Sequence, residues 1–91
     1  MAIVVISKDK PNSLELRLKN REKHLEHINN SPLKIKLAGP LLENGAMIGS
    51  IQIFEEDDIN KVENFLAQDP YKKADLFQSI EIIDMKIVID N

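Results

Sequence analysis

The sequence predicts an α+β fold with the element order βαββαβ. Three observations lead to this prediction: an opening run of β-branched residues, two later strand-like segments joined by a tight turn, and two segments with apolar residues at helical spacing. The chain of 91 residues is long enough for one domain, residues 1–91, and too short for two. It contains no cysteine, which excludes disulfides, thiolate metal ligands and cysteine nucleophiles.

The first strand is marked by four consecutive β-branched residues at positions 3–6 and is predicted over residues 2–7. An all-apolar strand of this kind is usually covered on both faces, which favours a central place in a sheet. After a turn, Asn12 or Ser13 can cap a helix by accepting from its first free amides. That helix is predicted to end at about Asn29.

The first helix combines an apolar stripe with a line of basic side chains. The stripe, which is expected to face the core, consists of Leu14, Leu18, Leu25 and Ile28. Arg21 interrupts the stripe, and Arg17 and His24 lie along one border of it. His27 is expected to point away from the core into solvent.

The middle of the chain has the pattern of two strands joined by a hairpin. Residues 33–38 alternate apolar side chains with lysines, which is typical of a protected edge strand, and Gly39-Pro40 is expected to end it. A turn at residues 43–45 leads to a third strand over residues 47–54. Gly49 lies inside that strand, which indicates a bulge or a close approach by another group.

A second helix is expected to begin at Asp57 or Asp58 and to end at residues 68–69. Its apolar stripe consists of Ile59, Val62, Phe65 and Leu66. Pro70 suits a first helical position, so a short extra helix is predicted over residues 71–77.

The last strand is predicted over residues 79–89. The alternation of apolar and polar side chains shifts by one residue between Ile82 and Ile83, which predicts a bulge there. The complete order is that of a ferredoxin-like, antiparallel four-stranded sheet with the first and third strands in the centre. Both helices then cover one face, and the other face is too apolar to remain exposed. A homodimer packed sheet to sheet is therefore expected.

Charge and composition exclude several classes of function. The net charge of −3 and the pI of ≈5.3, without a basic cluster, argue against a nucleic-acid partner. The apolar opening is too short for a signal peptide or membrane span, so a cytoplasmic protein without membrane contact is expected. His24 and His27 diverge on the helix, which gives no metal site, and no dinucleotide or phosphate-binding motif indicates a cofactor.

The candidate site joins His24 to residues far away in the sequence. A histidine can take and return a proton near neutral pH, and a carboxylate on its other nitrogen would hold its tautomer. Asp69 could be that carboxylate, although an aspartate before proline is also a common helix cap. Arg17 and Arg21 could clamp a carboxylate or phenolate. Alternatively, Arg17 could form an ordinary salt bridge to a nearby glutamate, and Arg21 could run along the edge of the core.

Two further residues are candidates for binding the substrate. Ser50 follows a strand glycine and could donate a hydrogen bond to a ligand or satisfy the backbone. Tyr71 is the only tyrosine and could contact a ligand or pack the short helix.

Four short motifs, in this order and at this spacing, resemble the YciI-like (YCII-related) family. They are Arg17…Arg21-x-x-His24-Leu25, Ala38-Gly39-Pro40-Leu41, Ile48-Gly49-Ser50 and Asp69-Pro70-Tyr71-x-x-Ala74-x-Leu76-Phe77. The resemblance implies a dimeric α+β barrel of ferredoxin-like subunits, with a His24–Asp69 pair in a cleft. One activity known in the family is dehydrochlorination of a chlorinated hydroxyhydroquinone.

The chain departs from the family pattern in two places. Asp75 stands where the family usually has glycine, and aspartate tolerates a left-handed backbone better than most residues. Ile83, Met85 and Ile87 occupy the region of the last strand where an aromatic residue is usual.

The resulting expectation is a small cofactor-independent enzyme, a lyase or isomerase of the dehydrochlorinase type. His24 is the general acid or base and Asp69 orients it, while the substrate, anionic or phenolic, is bound by Arg17, Arg21, Ser50 and Tyr71. The alternative is a non-catalytic accessory protein that binds a small anion in the same cleft. A haem-linked barrel enzyme is a third alternative, although no residue marks a haem pocket.

Overall fold

One antiparallel sheet carries all the helices on a single face. The computed structural model describes residues 1–91, and its elements are β1 Ala2–Asp9, α1 Leu14–Asn29, β2 Ile35–Glu43, β3 Ala46–Phe54, α2 Ile59–Ala67, α3 Pro70–Lys73 and β4 Phe77–Met85. The strand order is β2-β3-β1-β4, and each neighbouring pair is antiparallel. The ferredoxin-like prediction is confirmed, with β1 and β3 in the centre and β2 at an edge.

The apolar core lies between the sheet and α2. Ile3 and Val5 of β1 alternate toward the helices, and Phe54 is paired with Ile3 on the same face. They pack against the apolar stripe of α2, whose buried members are Val62, Phe65 and Leu66. Each such side chain stabilises the fold by about 1.5–3 kcal/mol through the apolar area removed from water.

Helix α1 turns its polar border inward, which is the largest departure from the sequence prediction. Arg17 and His24 are buried, and Ile28 packs at the margin of the core. Three members of the predicted buried stripe are instead about half exposed: Leu14, Leu18 and Leu25. The physical reason is that Arg17 and His24 find charged partners beneath the helix, and buried polar groups are tolerated when they are hydrogen-bonded.

The expectation that His27 is solvated was also wrong. Its ring stacks on Phe65 with centroids 4.1 Å apart, and its Nε2 lies 2.9 Å from the Phe65 carbonyl oxygen, to which it can donate. The imidazole therefore closes one margin of the core between α1 and α2.

Strand β2 does not end at Gly39-Pro40 but continues to Glu43, with Pro40 paired to Ser50. A proline, which lacks an N–H, is tolerated there because β2 is an edge strand. Both Gly39 and Pro40 therefore belong to the sheet and not to a loop.

The end of the chain also differs from prediction. Helix α3 is a single turn, Pro70–Lys73, and β4 both begins and ends earlier than expected. Ile82 and Ile83 pair regularly with β1, so the predicted bulge is absent. The irregularity between these strands lies instead at Lys8/Asp9.

Two sequence-based interpretations of the backbone are confirmed. Asp75 adopts a φ of +60°, the left-handed conformation expected where a glycine is usual. A hydrogen bond and the charge of Lys10 lower the pKa of the Asp75 carboxyl group. Gly49 lies against the neighbouring strand, as expected from a glycine inside a strand: a Cβ at this position would be 2.3 Å from the Ser7 carbonyl oxygen.

Gly49→Ala is expected to destabilise the protein by about 3 kcal/mol, because the new methyl group must push β1 and β3 apart. Urea denaturation followed by circular dichroism would measure the change. The matched control is Gly39→Ala in β2, where no atom lies within 4 Å of the added Cβ. Equal stability of the two alanine variants would contradict the steric argument.

None of the helices has the length and the hydrophobicity that crossing a membrane requires.

Candidate active site

A cavity of ≈240 Å³ lies between α1, α3 and the edge of the sheet formed by β2 and β3. It is lined from α1 by Arg17, Arg21 and His24, and from α3 by Tyr71. On the sheet it is lined by Ala38, Gly39 and Pro40 of β2 and by Ser50 and Gln52 of β3. Five of the six candidate residues from the sequence therefore border one cavity. The sixth, Asp69, lies behind His24.

His24 and Asp69, 45 residues apart in the sequence, form a buried pair. Nδ1 of His24 lies 2.8 Å from Oδ1 and 3.0 Å from Oδ2 of Asp69, and the two residues are 8% and 1% exposed. Because a carboxylate only accepts, Nδ1 carries the proton that it donates. In the neutral ring Nε2 is then the basic nitrogen, and it makes no hydrogen bond with the protein.

Asp69 has both of the roles that the sequence left open. Its Oδ1 also accepts from the backbone N–H of Tyr71 at 2.9 Å and so caps α3. The cap holds the carboxylate in place, and Pro70 at the first helical position supports the same turn. A one-turn helix thus positions the acidic partner of His24.

Tyr71 supports the imidazole from the side. The two rings are stacked, with centroids 3.9 Å apart and an interplanar angle of 11°. The guanidinium carbon of Arg17 lies 4.7 Å from the centre of the Tyr71 ring. Burial raises the pKa of Tyr71, and the charge of Arg17 opposes this only in part. The phenol therefore stays neutral while its ring fixes the plane of His24.

Arg17 enters the site as half of a buried ion pair. Its Nε and Nη2 donate to the two oxygens of Asp9 at 2.7 and 2.9 Å, and Nη2 also donates to Ser50 Oγ at 2.9 Å. Burial acts to lower the pKa of Arg17, but the hydrogen bonds and charge of Asp9 outweigh it, so the pKa is raised. The pair fixes Ser50 in the cavity wall.

Arg21 differs from Arg17 because it is exposed and makes no ion pair. It lies one helical turn before His24 and borders the same cavity. Its charge is therefore available to an anion that enters.

Sequence reasoning missed Asp9 and Gln52. Asp9 continues the inward alternation of β1 from Val5 and Ser7, but the predicted strand ended before it. Gln52 borders the cavity, is 4% exposed, and its Oε1 has no hydrogen-bond partner. A buried polar atom left unpaired costs about 1–3 kcal/mol.

No group of three His, Asp or Glu side chains converges in a way that could hold a metal ion. The cavity instead combines an imidazole with a buried carboxylate, one free guanidinium, a hydroxyl and an amide. This donor set can exchange a proton and bind oxygen atoms of a small molecule.

The fold and this set of motifs place the chain in a known class of proteins. It belongs to the YCII-related domain family, whose model matches residues 1–86. An uncharacterized protein of Haemophilus influenzae is 31% identical over 97 residues, which cover 97% of this chain and 99% of that relative.

Two solved structures have a similar fold. The 5-chloro-2-hydroxyhydroquinone dehydrochlorinase TftG of Burkholderia phenoliruptrix, in complex with 2,5-dihydroxybenzoquinone, is 34% identical, with a TM-score of 0.87 over 94% of each chain. A conserved protein of Methanosarcina mazei has a TM-score of 0.63 over 94% of each chain at 17% identity, a likeness that concerns the fold alone.

Proposed function

We propose that the protein is a small enzyme that needs no cofactor and transfers a proton on an anionic or phenolic ring substrate, in an elimination or isomerisation. The observation that carries the proposal is the His24–Asp69 pair, with Nε2 of the imidazole free at the wall of a small cavity. The likeness to TftG supports a chlorinated or hydroxylated ring as the substrate class.

His24 acts as the general base. Its Nε2 accepts a proton from the substrate, and the buried Asp69 carboxylate stabilises the imidazolium that forms. The negative charge left on the substrate oxygens is held by Arg21 and by hydrogen bonds from the cavity wall, where Arg17 orients Ser50. In an isomerisation the imidazolium returns the proton to another atom of the substrate; in an elimination the halide leaves as the anion with the electron pair of its bond to carbon, and the imidazolium releases the proton to water.

His24→Ala is expected to lower kcat by about 10²- to 10⁴-fold, the usual contribution of a positioned general base. The assay is chloride release from 5-chloro-2-hydroxyhydroquinone, the compound named for TftG. The matched control is His27→Ala on the same helix, because His27 contacts Phe65 and does not border the cavity. Full activity of His24→Ala would reject the mechanism.

A non-catalytic accessory protein would use the same cavity differently. The free charge of Arg21 and the pairing of His24 also suit reversible binding of an anion. Tight binding of 2,5-dihydroxybenzoquinone by the wild-type protein, without turnover of any chlorinated hydroxyquinol, would favour that function over catalysis.

We also infer that the protein is a homodimer. The sheet face opposite the helices is apolar, and its members include Val4 and Ile6 of β1, Ile51 and Ile53 of β3 and Ile83 of β4. No element of the chain covers this face, and burying it against a second copy would remove the apolar surface from water.

Sedimentation equilibrium at micromolar concentration is expected to give twice the mass of the 10.4 kDa chain. Ile53→Asp should shift the protein toward the monomer, because it places a charge in the proposed interface. The control is Ile59→Asp, at an exposed position on α2 on the other side of the sheet. A wild-type protein that sediments only as a monomer would refute the inference.

A further inference from the structure

We propose that Gln52 binds the ligand of this cavity by recognising an oxygen substituent on its ring. The proposal rests on the proposed function, which assumes a ring substrate, and it specifies a substituent that this ring must carry. It predicts a ligand with at least two ring oxygens, one that exchanges a proton with His24 and one that is bound by the Gln52 amide.

The first argument is that the fold makes no use of this amide. Gln52 lies on β3 between Val5 of β1 and Ala38 of β2, on the face that carries the helices. Its side chain is almost fully buried and its Oε1 is unpaired. The hydrogen bonds of Arg17 go to Asp9 and Ser50 and not to Gln52. An apolar side chain of similar size would satisfy the packing without an unpaired group.

The second argument concerns the position of the amide. Gln52 borders the same cavity as His24 and Arg21, which approach from α1, whereas Gln52 rises from the sheet. The small side chain of Ala38 on the neighbouring strand leaves room beside it. A flat molecule between helix and sheet would therefore contact His24 at one part of its edge and Gln52 at another.

The chemistry of an amide defines what it can recognise. Its oxygen accepts from a hydroxyl, and its NH₂ donates to a carbonyl or phenolate oxygen. An amide carries no charge, so it selects for a polar substituent. Selection for a negatively charged ligand depends on Arg21. A site with a buried polar group also discriminates against ligands that leave that group unpaired.

The test compares binding of 1,2,4-trihydroxybenzene with binding of the three dihydroxybenzenes that each lack one hydroxyl, measured by calorimetry without oxygen. The wild-type protein is expected to prefer the triol over at least one diol by roughly 10-fold, the equivalent of one hydrogen bond. Gln52→Leu should lose that preference while binding the same diol as well as the wild type does.

Two further readouts separate recognition from a structural role. The first is the thermal midpoint of unfolding, which in Gln52→Leu should equal or exceed that of the wild type. The second is a control variant, Gln78→Leu, at an exposed glutamine on β4, which should bind the triol and the three diols like the wild type. The inference is overturned if Gln52→Leu keeps the preference for the triol, if it melts several degrees lower, or if the wild type binds none of the phenols. A different result, full activity of the His24→Ala variant, would reject the proposed function.

Discussion

Asp69→Asn is expected to lower kcat by roughly 10³- to 10⁴-fold and to leave the fold intact. The asparagine oxygen can still accept from the Tyr71 N–H, so the cap on α3 survives. The support of His24 is weakened, because the neutral amide no longer stabilises the imidazolium and its NH₂, in the place of Oδ2 at 3.0 Å from Nδ1, favours the tautomer with its proton on Nε2. A ring protonated on Nε2 cannot accept the substrate proton there. Steady-state kinetics together with a thermal melt would measure both effects.

The control for the capping role is Asp58→Asn. Asp58 caps α2 in the same way, by accepting from the backbone N–H of Asn60, but it is exposed and far from the cavity. We expect this variant to keep both its activity and its stability. Asp69→Ala should lose activity and also about 1 kcal/mol of stability with the cap. If Asp69→Asn turned over substrate like the wild type, Asp69 would be a cap and nothing more.

The strand order could be predicted from the sequence because it depends on strong local signals, whereas the His24–Asp69 pair was expected from the order and spacing of the family motifs. The β-branched run of β1 indicates a central strand, and the Asp69-Pro70 step indicates a capped helix start wherever it occurs. Once the order βαββαβ is known, both helices lie on one face of the sheet, and residues 45 positions apart can meet there.

The inward face of α1 could not be predicted in the same way. Hydrophobic periodicity identifies the most apolar stripe of a helix, and in α1 that stripe contains Leu14, Leu18 and Leu25. Which face is buried depends also on what lies beneath the helix, and here Asp9 and Ser50 lie there to pair with Arg17. A single helix carries no information about its partners across the fold.

The missed residues have a similar explanation. Asp9 follows a lysine and precedes a proline turn, a context typical of solvent-exposed residues. Only a strand two residues longer than predicted brings it into the inward alternation with Ser7. The signal for Gln52 was present, since it faces inward between two isoleucines of β3 that face outward, yet a lone inward glutamine does not reveal whether it has a partner.

Asp9→Ala is expected to destabilise the protein by about 3–5 kcal/mol, because it leaves the Arg17 guanidinium buried without a countercharge. A domain of this size has a free energy of unfolding of about 5–15 kcal/mol, so the loss could be most of it. Urea denaturation would measure the change. The control is Glu55→Ala, which removes surface ion pairs with Lys34 and Lys36 and should alter stability little.

The double variant Asp9→Leu with Arg17→Met separates the charge from the packing. If the uncompensated charge causes the loss, removing both charges should restore most of the stability, since a buried ion pair replaced by apolar side chains of similar volume is often neutral or stabilising. If the double variant were as unstable as Asp9→Ala, the lost hydrogen bond to Ser50 and the shape of the pair would be the cause. The active site would then depend on Arg17 for its geometry, because the same guanidinium contacts the Tyr71 ring that stacks on His24.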